Sequence, residues 1–399
     1  MIHITNKQDC CGCSACVQRC PKHCIHLTED AEGFLYPIID KKICINCGIC
    51  ENVCPLLHPS KPIPVLKTLA VKNVHEEERF SSSSGGVFIS IAKTILQKGG
   101  VVFGAVYDEH WEVKHTYAET KKNVKAMMGS KYLQSRIENS YIETERFLKS
   151  GREVLFTGTP CQIAGLRKFL RKNYPNLLTV DFLCHGVPSP GVWRKYLYET
   201  FSNLHTNSSS SQNIIPAITS ISFREKTHGW KNFSIEFRGN SIPQTGRNIT
   251  LLSDIHRENP FMRGFLSDIY LRPSCYNCRC KNGVSQSDLT IADYWGIDKL
   301  MPDFDDDKGI GLVLINTSKG ESYFNLLNME VRLSTLKDAQ QFNGGFKERI
   351  RIHPKRDFFF KQLSEGKSVS KTVELCLHIS IYRKIYSKLK KLSNNLKHL

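Results

Sequence analysis

The chain has 399 residues, 40% of them hydrophobic, 16 cysteines and a formal net charge of +17. That length can bury a full core and fits two or three domains, while no apolar run approaches the length of a membrane span and no basic start followed by an apolar stretch marks a secretory leader, so we expect a cytoplasmic protein with reduced thiols. Residues 1–60 hold five Lys/Arg against six Asp/Glu, so the basic excess lies beyond them; with no finger, RNA-recognition or helix-turn-helix signature beside it, that excess gives no argument for nucleic acid.

The first element is a cysteine pattern written twice. Cys10, Cys13, Cys16 and Cys20 precede Pro21, and Cys44, Cys47, Cys50 and Cys54 precede Pro55, both with x2, x2, x3 spacing. Bacterial-type ferredoxins hold [4Fe–4S] clusters with this run, the fourth cysteine of each serving the other cluster. A cubane needs one soft thiolate at each of four iron corners, and three cysteines at x2 spacing wrap three of them. Gly12, Ser14, Ala15 and Gly48 let the loops turn tightly. We therefore assign Cys10, Cys13, Cys16 and Cys54 to one cluster and Cys44, Cys47, Cys50 and Cys20 to the other. Structural zinc sites pair two separated CxxC units, which fits poorly, and a disulfide framework suits a short secreted chain. Cys11 and Cys24 break the spacing and read as spare buried thiols.

This bacterial-ferredoxin-like module spans residues 1–60. Pro55–Pro64, with four prolines, reads as a linker. Beyond it the spacing predicts a helix over Val87–Leu96 and strands over Val101–Tyr107, Glu153–Phe156 and Leu177–Leu183, with an amphipathic helix over Gln162–Leu170. This rhythm is that of an α/β layer architecture. Thr206–Asn213 is serine-rich and reads as an insertion. Ile218–Phe223 and Phe233–Phe237 alternate like antiparallel strands, and Asp288–Trp295 and Gly311–Asn316 are strand-like. The loop Asp303–Asp307 between them reads as solvated or cation-binding, without a regular ligand spacing. We divide the remainder into a mixed α/β core, 61–345, and a basic helical tail, 346–399. From Cys376 to Leu399 there are six basic residues and no acidic one, with Ile381, Ile385, Leu389 and Leu392 at helical spacing. Such a helix suits an anionic membrane surface, an acidic partner or a resting place on its own domain.

Five cysteines of the core fall in informative contexts. Cys161 follows the strand Glu153–Phe156 in Gly158-Thr159-Pro160-Cys161-Gln162. Cys184 ends another in Cys184-His185-Gly186, Cys275 and Cys278 form a CxxC, and Cys280 extends it. Strand ends gather at one edge of an α/β sheet, where ligands bind, so Cys161, Cys184 and the CxxC could supply four thiolates to a third cluster; Cys280 could replace Cys278. Cys376 reads as a helix residue without a role.

With these residues in view, the chain resembles the coenzyme F420 hydrogenase/dehydrogenase beta-subunit family. The matching stretches are Ser84-Gly85-Gly86, Gly129-Ser130-Lys131-Tyr132, the Cys161 and Cys184 segments, the CxxC, and Ser287 through Asp293. The resemblance implies a flavoprotein, generally holding FAD, with a [4Fe–4S] cluster on Cys161, Cys184, Cys275 and Cys278 close to the flavin. Substrates differ among relatives (a deazaflavin coenzyme, chlorophyll intermediates), and some relatives are encoded among surface-polysaccharide genes. A flavin also suits the chemistry, because it takes electrons singly and delivers them in pairs. We expect Ser84, Gly85 and Gly86 to approach FAD phosphates at a helix start, with Ser130, Lys131 and Tyr132 nearby. His185 is either a proton donor beside the flavin or structural.

The expectation is an iron–sulfur flavoprotein oxidoreductase. Reduced ferredoxin, another acidic donor protein or a partner subunit supplies electrons, which pass through the clusters to FAD and an organic substrate. The alternative is an electron-transfer beta subunit whose catalytic partner lies on another chain.

Overall fold

The computed structural model describes residues 1–202, 218–240 and 248–378. The serine-rich stretch 206–213 and most of the basic helix, from residue 379 onward, lie outside the described residues.

The two cysteine runs fold alike. Each passes through left-handed residues at the second and fourth positions after its first cysteine: Gly12 (φ 71°) and Ser14 (φ 62°), then Asn46 (φ 54°) and Gly48 (φ 72°). Each then enters a short helix, Ala15–Arg19 or Ile49–Asn52. Between them β1 (Ile25–Glu29) and β2 (Leu35–Ile39) pair as an antiparallel hairpin.

The core strands are β3 (Lys67–Asn73), β4 (Val101–Tyr107), β5 (Val113–Ala118), β6 (Val154–Thr157), β7 (Leu177–Phe182), β8 (Ile218–Glu225), β9 (Ser234–Asn240), β10 (Asn248–Ile255), β11 (Leu289–Asp293), β12 (Gly311–Ile315) and β13 (Met329–Ser334). Eight of them form one mixed sheet in the order β13-β3-β12-β11-β7-β6-β4-β5. Its centre, β4-β6-β7-β11, is parallel and its flanks are antiparallel. Val154, Leu155, Phe156, Leu177 and Leu178 are wholly buried. Such unbroken apolar runs mark parallel strands covered on both faces. β10, β9 and β8 form a second, antiparallel sheet, packed through Phe223, Ile235 and Phe237 on Trp193, Tyr196 and Phe261.

The stretch assigned to the tail begins inside this packing. Helices Arg356–Ser364 and Val369–Leu377 bury Phe359, Val369, Val373 and Cys376 in the same core. Arg356 reaches Glu32 of the N-terminal hairpin and donates to the Leu271 carbonyl. The acidic loop is an ion-pairing element: Asp305 pairs with Lys231 and Asp306 with Arg79. Asp307 accepts from the Lys231 N–H at 3.0 Å. Basic side chains close enough to bond compensate its charge, so neither a solvated loop nor a cation is needed.

Asp181, in β7, is buried and accepts from Ser285 Oγ at 2.6 Å and Thr290 Oγ1 at 2.5 Å. Burial raises its carboxyl from 3.8 to about 6 despite these bonds. A carboxyl raised on folding binds protons better in the native state, so its contribution is complete below about pH 4 and is lost as pH rises through about 6. Asp181→Asn is therefore expected to remove a stability difference of up to about 3 kcal/mol between pH 4 and pH 7. Urea unfolding at the two pH values checks it.

Candidate metal centres and sheet-edge site

The cysteines come together in sets. Burial, then the neighbouring Cys10, Cys54 and Cys50, push the Cys16 thiol up to about 12. Burial also raises Cys54, with Cys10 among its neighbours, and Cys16 and Cys54 in turn surround Cys13. Thus Cys10, Cys13, Cys16 and Cys54 lie near one another, with Cys50 also beside Cys16. Cys20, Cys44, Cys47 and Cys50 line one small surface pocket, walled also by Cys24, Ile25, Ile39 and Ile45. Cys24 stands 3.4 Å from Cys20, sulfur to sulfur, and Cys47 is exposed.

The strand ends bring the third set together. Because β4, β6, β7 and β11 run parallel, their carboxyl ends share one edge. Cys161 sits there in the first turn of the helix Pro160–Leu170, capped by Thr159, whose hydroxyl lies 3.1 Å from the Cys161 sulfur. Cys184 follows β7; burial, then Cys275, Cys161 and Cys278, hold its thiol well above the ordinary value against the opposing charge of Lys281. Burial raises Cys275 to about 12 against a Val187 N–H that points at its sulfur. Cys161, Cys184, Cys275 and Cys278 therefore form one group.

Two further thiols join the sets. Cys11 neighbours Cys161 and Cys13. Cys280, 1% exposed, is raised by burial and then by Cys161, Cys278, Cys54 and Cys275. Both are buried, and both stand between the first N-terminal set and the core set, a placement that sequence spacing alone does not reveal.

Among the described residues no three His, Cys, Asp or Glu side chains close on a single point. A lone metal ion needs that convergence; a cubane does not, because its irons occupy separate corners. The alternating left-handed residues of the cysteine loops turn successive N–H groups inward, a cradle for an anionic centre. The donor set and its backbone fit iron–sulfur centres.

At the same edge the expected cofactor residues lie on two touching loops. Ser83 Oγ accepts from the Ser130 N–H at 2.6 Å, so the loop holding Ser84, Gly85 and Gly86 meets the one holding Ser130, Lys131 and Tyr132. Gly85 backs onto Gly311 and the Val71 carbonyl, where a Cβ would come within 2.5 Å; its smallness serves the sheet. Gly86 (φ 79°) starts the helix Val87–Gln97, whose first turn has no side-chain cap, leaving the N–H groups that a pyrophosphate takes. Lys131 bonds the Met128 carbonyl at 3.0 Å, and burial lowers its ammonium. The Tyr132 hydroxyl lies 3.2 Å from Arg224, which forks onto Asp293 at 2.6 and 3.0 Å. This donor set fits an anionic dinucleotide. His185 Nε2 lies 2.8 Å from Asp268, on the edge of the Phe265 ring; its neighbours bind it into the fold as much as into the edge.

Eight cysteines in paired runs, joined to a mixed α/β core with a thiol-rich sheet edge, define a protein of the iron–sulfur class. Residues 151–340 match the family described as the C-terminal part of the coenzyme F420 hydrogenase/dehydrogenase beta subunit. It is 24% identical over 186 residues to one of the subunits of the F(420)H(2) dehydrogenase of Methanosarcina mazei, covering 44% of this chain and 53% of that one. The N-terminal module is 46% identical over 43 residues to a ferredoxin 7Fe of Hydrogenibacillus schlegelii, 11% of this chain and 49% of that protein. A chain of the F420-reducing [NiFe] hydrogenase complex from Methanosarcina barkeri superposes with a TM-score of 0.44 at 16% identity, over 78% of this chain and 91% of that one. The chain spans about half the length of the curated dehydrogenase protein it matches. Among the described residues no helix is long and apolar enough to cross a membrane.

Proposed function

We propose that the chain is an electron-transfer beta subunit of a multi-subunit oxidoreductase of the coenzyme F420 hydrogenase/dehydrogenase type. Two [4Fe–4S] centres sit in residues 1–60 and a third at the sheet edge, held by Cys161, Cys184, Cys275 and Cys278. FAD binds between the Ser84–Gly86 and Ser130–Tyr132 loops. The observation that carries this reading is the unbroken run of thiols. It starts at the exposed Cys47, crosses the pocket with Cys20, Cys44 and Cys50, and reaches Cys16 and Cys54. From there it passes Cys11 and Cys280 to Cys161.

Cys47 presents the outer set to a donor, a partner subunit or reduced ferredoxin. The buried sets keep water away from the path, and Lys131 and the uncapped helix start hold negative charge at its far end. When bound, FAD supplies the conversion between single electrons and pairs. The basic excess beyond residue 60 speeds association with acidic partners in a salt-sensitive way.

The purified full-length chain is expected to bind FAD and iron and to accept electrons from reduced ferredoxin or its partner subunit. It is expected to turn over no coenzyme F420 until its partner subunits are added. Turnover by the chain alone makes it a free-standing reductase, and an absence of both flavin and iron–sulfur absorption overturns both readings.

A further inference from the structure

Arg272 lies three residues before Cys275 and is 1% exposed. Its guanidinium is spent almost wholly on the N-terminal module. Nε donates to the Cys10 carbonyl at 2.9 Å, Nη2 to the Leu35 carbonyl at 2.8 Å, and Nη1 to Gln134 Oε1 at 2.9 Å. Nη2 also lies 3.7 Å from the Cys10 sulfur, and the plane rests over Tyr36, 4.4 Å from the ring centre. Gln134 in turn donates to the Cys11 carbonyl at 3.0 Å. The cysteine loop is built to admit this group: a Cβ on Gly12 would stand 2.9 Å from Arg272 Nη1 and 2.8 Å from Gln134 Nε2.

The charge balance is unusual. Among the described residues no carboxylate pairs with Arg272, whereas the other deeply buried arginines, Arg79, Arg224 and Arg356, each have one. A buried guanidinium without a counter-charge costs several kcal/mol. The acidic groups it faces are the thiols of both sets, Cys10 and Cys11 on one side and Cys275 on the other, with the neutral Tyr36 phenol beneath it. A cubane ligated by four thiolates is net negative, and it becomes more so on reduction.

We propose that Arg272 is a positioning residue of the electron path, whose fixed charge and contact with the Cys10 sulfur raise the reduction potential of the centre held by Cys10, Cys13, Cys16 and Cys54. This rests on the iron–sulfur reading of that set. Hydrogen bonds to ligand sulfur and local charge are the levers that set such potentials. One electron arrives from the outer set and one leaves toward the core; Arg272 stays protonated and neither gains nor loses an electron.

The test is a redox titration of the iron–sulfur EPR signals in the full-length chain, with iron counted in parallel, for wild type, Arg272→Gln and Arg272→Lys. In Arg272→Gln the equilibrium constant for one-electron reduction of one centre is expected to fall about tenfold, a shift of about 59 mV to lower potential. Arg272→Lys keeps the charge and loses the fork, so its shift has the same sign and is smaller. An unchanged midpoint in Arg272→Gln at wild-type iron content overturns the proposal, as do equal shifts in the two variants. If Arg272→Gln fails to assemble, an unshifted midpoint in Arg272→Lys overturns it. A wild-type chain without iron would instead sink the underlying reading, so the two failures are distinguishable.

Discussion

Cys161→Ser is expected to lower the iron content by about four atoms of about twelve per chain, one cubane's worth, while the N-terminal sets keep theirs. Cys161 is the thiol on which the core set turns, because Cys184, Cys275 and Cys280 all feel it as a neighbour. A serine hydroxyl is a hard, protonated donor at neutral pH and a poor exchange for a thiolate. One route would hide the effect: Cys280 is buried against Cys161 and Cys278 and could enter the set when Cys161 is lost. The double variant Cys161→Ser, Cys280→Ser separates the cases by iron analysis. If the single variant keeps its iron and the double variant loses it, Cys280 is a ligand in reserve; if neither loses iron, the core centre is elsewhere. Because Cys11 is a neighbour of Cys161, the potential of the remaining centres is a further readout.

What was legible in the sequence was whatever repeats at short range. The two cysteine runs carry their own loop geometry, so Gly12 and Gly48 were readable as tight-turn residues, and the buried strands Val101–Tyr107 and Leu177–Phe182 announced themselves as apolar runs. β5, β10 and β13 did not, because they are edge strands, where alternation is weaker and polar residues fill the open face. The charged partners were also out of reach. Nothing local says that Arg272 faces Cys10, 262 positions away. The same holds for Asp288, in the stretch that resembles the family: it accepts from the Thr179 N–H at 2.9 Å and from Arg167 at 3.1 Å, so it braces β7 against β11. Cys11 and Cys280 looked spare or ambiguous because their neighbours come from other parts of the chain. A thiol-rich position off the regular spacing was the one signal that pointed to them.

Asp293→Ala is expected to destabilise the α/β core by about 3–5 kcal/mol, the cost of leaving a buried charge without its partner. Arg224 of β8 has a side chain only 2% exposed, against 17% for Asp293 at the end of β11, so the fork joins the second sheet to the edge of the first. The Trp230 indole N–H also donates to Asp293, at 3.2 Å, and Trp230 stacks on Trp295 with ring centres 4.9 Å apart. Removing the carboxylate leaves Arg224 over Phe233 and Trp295, aromatic faces that offset part of a cation's desolvation but not all of it. Asp293→Asn keeps the shape and an acceptor, and its loss should be smaller. In the double variant with Arg224→Met the cost should be well below the sum of the two single changes, since the stranded charge is gone. Urea unfolding followed by the fluorescence of the stacked tryptophans reports the transition where the pair sits. The same variant reaches the proposed cofactor loop, because Tyr132 holds its place through Arg224. FAD affinity should therefore fall in Asp293→Ala even under conditions where the chain remains folded, and an affinity equal to wild type would separate the fork from the cofactor site.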